Sequence, residues 1–190
     1  MVTPPASGDG IRDCATDSTA LLAAAITAFA AQDLDALTGG ALSEELIAMC
    51  RGMDRLEAEL SRRITRFDNQ RGHVTEGFGS AVSWLRVHGR MSAADAMQRV
   101  ELGRRLPALE GAEEAFRRGE IGFRNATVLA RAVAETGAEH IAPAAPTLVE
   151  LAKTQDPFKL RVCTRHARYC ANPDGTLADA ERDHQHRGST

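Results

Sequence analysis

The sequence predicts an all-α fold: a single domain of about seven to eight helices, one of them long and amphipathic, with flexible termini. Two observations carry this. Hydrophobic residues make up 43% of the 190 residues but aromatics only 4%, so the core must be built from Ala, Leu, Ile, Val and Met, which suits close-packed helices better than β-branched strand faces. Apolar positions also recur at intervals of three and four, and no segment alternates as a half-buried strand would. A chain of this length can bury one sizeable core.

Met1 to Asp17 is rich in Pro, Gly, Asp and Ser without periodicity and reads as a flexible leader, followed by a helical domain over 18–172. A first helix is expected from Ser18 to about Leu37, stopped by Gly39-Gly40. The next is expected to start at Ser43 as N-cap, with Glu44 and Glu45 favourable in its first turn. Its apolar residues Leu42, Leu46, Met49, Met53, Leu56, Leu60, Ile64 and Phe67 form nearly a heptad seam. Arg51, Arg55, Glu59, Arg62 and Arg66 occupy the other face. Such a helix needs a partner along its length, either another helix of the chain or a second copy in a homo-oligomer.

The glycine-bearing stretch from Gln70 to Gly79 reads as a loop. A short helix from Ser80 to Val87 is expected to bury Trp84 and Leu85, and Ser92 to cap a helix running through Leu106. Pro107 opens a helix ending at Gly119. Further helices are expected over Phe123 to Thr136, Ala138 to Lys153 with an interruption at Pro143 or Pro146, and Pro157 to Cys170. Asn172-Pro173-Asp174-Gly175 is a turn, and residues 173–190 read as a tail or linker. His73, His88 and His140 lie in or near turns and are expected to face solvent.

The net charge of −3 is unevenly spread: residues 1–50 carry −6, residues 51–131 +4 and residues 132–190 −1. Every base in the middle segment is Arg, the side chain suited to forked contacts with carboxylate or phosphate. Pairing with Glu on solvated helix faces explains such residues; so does nucleic-acid binding. Within the basic part, Trp84 to Leu106 can be read as a helix-turn-helix with Gly89 in the turn. Arg86, Arg90, Gln98, Arg99, Arg104 and Arg105 would then reach phosphates or base edges, and Arg117, Arg118 and Arg124 would extend the surface.

Cys163, His166 and Cys170 are spaced by three and four, so a helix places them on one face. Two thiolates and an imidazole could bind zinc if His184 or His186 supplied a fourth ligand. The spacing lacks the paired knuckles of strong zinc motifs, and buried thiols otherwise behave as small hydrophobes. No residue set is arranged as a nucleophile with its base, so no catalytic residue is assigned. The four cysteines form no disulfide framework. The apolar run from Thr19 to Ala31 has an acidic leader and is too short to span a bilayer, so the expectation is a cytoplasmic protein without a membrane partner.

Several of these features occur together in one family. The long heptad-like helix before Arg71-Gly72, the Trp84-Leu85 helix, the Ser92-to-Leu106 helix, the Gly119-Glu120-Ile121 turn and the closing Arg168-Tyr169-Cys170-Ala171-Asn172-Pro173-Asp174-Gly175 segment resemble the helical domain of unknown function 222 (DUF222) of actinobacterial 13E12-repeat proteins. The resemblance covers about residues 40–185. It implies a helical module of repeated or mobile elements that, in longer members, leads into a small HNH-type nuclease. No HNH motif, which needs His and Asn around a divalent cation, occurs in residues 1–190. The expected function is therefore a noncatalytic, DNA-associated helical module. The alternatives are a structural or oligomerisation module, or a fragment of a longer endonuclease.

Overall fold

The computed structural model describes the backbone of residues 9–171 and the side chains of residues 17–170. All regular structure among them is helical. The α-helices are α1 (Asp9–Ala30), α2 (Gly39–Asn69), α3 (Gly72–Thr75), α4 (Ala81–His88), α5 (Ala93–Arg105), α6 (Ala112–Arg118), α7 (Phe123–Thr136), α8 (Ala138–Ile141), α9 (Ala145–Thr154) and α10 (Pro157–Ala171). Short 3₁₀ turns lie at Leu34–Ala36, Leu106–Ala108 and Ala142–Ala144. The all-α expectation holds. Two of the α segments, α3 and α8, are single turns of four residues.

The chain divides into two units, Met1–Ile47 and Ala48–Thr190, with the boundary inside α2. In the first, α1 begins at Asp9, earlier than the Ser18 start read from the sequence, and ends at Ala30. Residues 1–8 of the expected leader, like the tail from residue 172, fall outside the described part. Gly39-Gly40 does not stop α1 but opens α2. The Thr38 hydroxyl accepts the Ala41 amide at 3.3 Å, so the cap precedes Ser43, which lies within the helix. Gln32 donates to the Glu45 carboxylate at 2.7 Å. No described side chain of this unit is buried.

The second unit holds the core. Its centre is α7, which buries Asn125, Ala126, Val128, Leu129, Ala130, Ala132 and Val133 and packs against α5, α6, α8, α9 and α10. A smaller cluster joins Ile64 of α2 to Ala81 and Leu85 of α4 and to Ala96 and Val100 of α5, with Leu60, Phe67 and Trp84 packed on it. Trp84 is half-buried against Phe67, its ring centroid 4.6 Å away, and donates its indole N–H to Glu76 at 2.7 Å.

Local signals set most boundaries. Ser80 and Ser83 form a reciprocal capping box at α4, and Ser92 accepts the Asp95 amide at 3.1 Å at α5. Gly119 ends α6 at φ 73°, where Cβ-bearing residues are strained. There the Glu120 amide reaches the Ala115 carbonyl and the Gly119 amide that of Phe116, both at 2.9 Å, closing the helix. Pro143 falls in the 3₁₀ break between α8 and α9, one of the two interruptions expected.

Three further segments differ from expectation. Within Gln70 to Gly79, read as a loop, Gly72–Thr75 forms the single turn α3. The stretch from Pro107 to Gly119 is not one helix: after a 3₁₀ turn the chain breaks at Leu109 to Gly111, Leu109 becomes buried, and α6 starts at Ala112. The interior claims Leu109, and a continuous helix gives way. His73 is buried, not solvent-facing. It sits 6.3 Å from Phe67 between ring centroids, with Nδ1 3.9 Å from Asp68.

Candidate functional site

The long seam of α2 does not meet the core as a seam. Ala58, Ser61 and Ile64 are its buried residues. At the crossing with α5 a Cβ on Gly103 would overlap the Thr65 hydroxyl, so the two helices approach closely only because residue 103 has no side chain. Thr65 turns its hydroxyl back to the Ser61 carbonyl at 2.9 Å. Leu60, Ile64 and Phe67 find partners in the smaller cluster. Leu46, Met49, Met53 and Leu56 stay exposed.

Polar groups complete the junction of α2, α5 and α7. Asp54 of α2 accepts the Phe123 amide at 2.9 Å, satisfying the first turn of α7, whose own cap residue Gly122 offers no side chain. Glu57 accepts two bonds from Arg99 of α5, at 2.6 and 3.1 Å, and that guanidinium lies 4.8 Å over the Phe123 ring. Asn125 donates to the carbonyls of Ala152 and Gln155 at 2.6 and 2.8 Å, tying α7 to the end of α9.

Against this frame the candidate nucleic-acid residues separate into groups. Arg99 is an interior clamp: its side chain is 14% exposed and both its charge and its face are engaged. Arg104 holds Asp68 of α2 with two bonds, at 2.7 and 3.0 Å. Arg105 pairs with Glu101 at 3.0 Å. Arg117 and Arg118 share Glu114 at 2.9 and 2.6 Å. Arg86, Arg90 and Arg124 are exposed and have no ion pair among the described residues, and Gln98 is half-buried. Arg86 lies in the last turn of α4 and Arg90 in the connection between α4 and α5.

Arg90 has a further peculiarity. It and Arg71 are the two non-glycine residues with positive φ among those described, at 52° and 55°, a left-handed backbone that costs roughly 1–2 kcal/mol without a glycine. Arg71 is also exposed without an ion pair among the described residues. It precedes α3, beside Phe67, whose ring packs on Gly72. Arg71 is not among the nucleic-acid candidates that the sequence suggests. Its only local signal was the neighbouring glycine.

Paired acids elsewhere have shifted proton affinities. The hydrogen bond from Arg62, with help from Arg63, holds Glu59 below the usual glutamate range despite some burial. Glu114 is lowered by its hydrogen bonds from Arg117 and then Arg118, and Arg117 is raised in return. Asp156 is lowered by the backbone N–H groups of Lys159 and Phe158 that it caps at the start of α10. Lys153 is raised by Glu150 and Glu120.

The candidate zinc residues all lie on α10. His166 Nε2 is 3.7 Å from Cys170 Sγ, while Cys163 is two turns away from Cys170. Seven residues at 1.5 Å each separate them by about 10 Å along the axis, too far for both thiolates to meet one ion. No group of three potential ligands converges among the described residues; His184 and His186 lie outside them. No helix among the described residues is long and apolar enough to cross a membrane.

Comparison with known proteins rests on one family. No curated protein matches the chain, and no solved structure matches it. The model of a domain of unknown function, DUF222, matches residues 41–189, from the third residue of α2 through α10 and beyond, and the chain belongs to that family.

Proposed function

We propose that the chain is a noncatalytic helical module that associates with DNA through the rim formed by α3 and the α4–α5 turn. The observation that carries this reading is the contrast among its arginines. Nine of the eighteen described arginines are paired with acids on their own or neighbouring helices. Arg71, Arg86 and Arg90 are among the nine that stand exposed without an ion pair among the described residues, and Arg71 and Arg90 are the two on left-handed backbone. Exposed guanidinium groups without an acidic partner suit phosphate oxygens, and Gln98 on α5 is the group with base-edge chemistry. Arg99 and Arg104 hold the scaffold. By its resemblance to 13E12-repeat proteins, the module would position an HNH-type nuclease of longer relatives on DNA.

Fluorescence anisotropy with a labelled duplex across a salt series tests the reading. Affinity should fall steeply with salt, and Arg86→Ala with Arg90→Ala should weaken binding to all sequences and reduce the salt slope by about two, one per lost phosphate contact. No binding at low salt overturns it. So does an unchanged slope in the double variant.

A second reading, a module that joins copies of itself, is favoured by the uncovered apolar residues of α2.

A further inference from the structure

The arginines that no acid holds gather along one helix. Of the nine described arginines without an ion pair, Arg51, Arg55 and Arg66 lie on α2 and Arg71 two residues past its end. All four belong to the second unit. Acids stand nearby in the sequence, but each is engaged elsewhere. Asp54, three residues after Arg51, caps α7 at Phe123. Glu59, four residues after Arg55, takes Arg62 and Arg63. Asp68, two residues after Arg66, takes Arg104. The pairing along a helix that ordinarily neutralises such a face is therefore missing at these three positions.

Successive residues of an α-helix turn by about 100° and rise by about 1.5 Å. Arg51, Arg55, Arg62 and Arg66 thus fall within about 60° of one another, in a row about 22 Å long. Arg71 follows where α2 ends. Near its start the row meets α6. The aliphatic stem of Arg55 lies over Gly119, where a Cβ would come 2.9 Å from its Cγ, directly after Arg117 and Arg118. Arg62 and Arg117 border one cavity together with Glu59 and Glu113. Arg62, Arg117 and Arg118 already have Glu59 and Glu114 as partners, so Arg51, Arg55 and Arg66 carry the uncompensated charge. Met49, Met53 and Leu56, the exposed apolar residues of this part of α2, lie on the other side of the helix. Protein partners are anchored by aromatic or aliphatic groups seated in pockets, and the row offers none. Guanidinium groups repeated along one line suit a chain of phosphates.

We infer that Arg51, Arg55 and Arg66 form a second line of phosphate contacts, along which the backbone of a DNA duplex continues from the rim of Arg71, Arg86 and Arg90 toward Gly119. This rests on the DNA reading of that rim. It lengthens the contact by about 22 Å, or about six base pairs at 3.4 Å each.

Fluorescence anisotropy of the full chain with a labelled duplex longer than two helical turns, across a salt series, is the test. Arg51→Gln with Arg55→Gln and Arg66→Gln should lower the salt slope by about three and weaken binding at least about tenfold near 0.1 M salt. Its circular-dichroism spectrum should match that of the wild type, since none of the three side chains is buried or joined to an acid. Arg51→Lys with Arg55→Lys and Arg66→Lys keeps the charge and should keep the wild-type slope. A Gln variant with the wild-type slope overturns the proposal, as does a Lys variant that loses slope as the Gln variant does. Poly-glutamate competing as well as DNA of equal charge overturns it in favour of an acidic protein partner. The two readings fail separately. A wild type that binds no duplex at low salt sinks the DNA reading and this line with it. A slope that falls in Arg86→Ala with Arg90→Ala but not in the Gln variant sinks this line alone.

Discussion

The two units are both rich in apolar residues and use them differently. The described part of the first contains Leu21, Leu22, Ile26 and Phe29 on α1, yet none is buried. The second buries Leu102, Leu109, Ile121, Leu129, Ile141 and Leu160 almost completely. The difference is one of partners. In the second unit, several short helices surround α7 and meet it with their apolar faces. Hydrophobic content makes a helix ready for burial, but neighbours at the right crossing decide whether burial occurs.

This contrast can be broken most forcefully in the core. Leu129→Ala should cost about 2–5 kcal/mol in urea unfolding, through lost transfer energy and a cavity, whereas Leu21→Ala should stay within about 0.5 kcal/mol for the monomeric chain. Equal losses would abolish the distinction. A somewhat smaller effect is expected at the α2–α5 crossing. Gly103→Ala should cost about 1–3 kcal/mol by overlapping Thr65, and adding Thr65→Ala should recover much of it. Additive losses would show that the close approach is not the cause.

The arginines sharpen the comparison on a finer scale. Arg99→Ala leaves Glu57 without its partner and should destabilise by about 1–2 kcal/mol, while Arg86→Ala should fall within about 0.5 kcal/mol; chemical denaturation of both separates scaffold from surface. The smallest effect concerns Glu114. Its affinity for protons is lowered in the folded state by Arg117 and Arg118, so folding favours the charged form. The associated stability is present above the usual glutamate range and disappears as pH falls through the lower folded value. Glu114→Gln should flatten that part of the stability-versus-pH curve, and an unchanged curve would show that the exposed pairs contribute nothing measurable.

Much of the architecture is legible in the sequence because its causes are local. Ser80, Ser92 and Gly119 act within four residues of themselves, and the chain folds at each as its composition indicates. What is not legible depends on distance along the chain. Arg99 looks like any basic residue on a helix until Glu57, 42 positions earlier, comes within reach. Asp54 has no local reason to cap α7, 69 positions later. The seam of α2 draws attention to its leucines and methionines, while the contact with the core is made by Ala58, Ser61 and Thr65 opposite a glycine. Small residues give little periodic signal because they bring backbones together and add little apolar area of their own.

The cap that Asp54 places on α7 makes the start of one helix conditional on another. Phe123 is bonded there to a side chain of α2, so hydrogen exchange at its amide should be slow while α2 is seated and faster once it is displaced. Any partner that grips α2 and shifts it by a fraction of a turn would release that amide. Phe123 is thus a built-in gauge of strain on the long helix, readable at one residue in the centre of the fold.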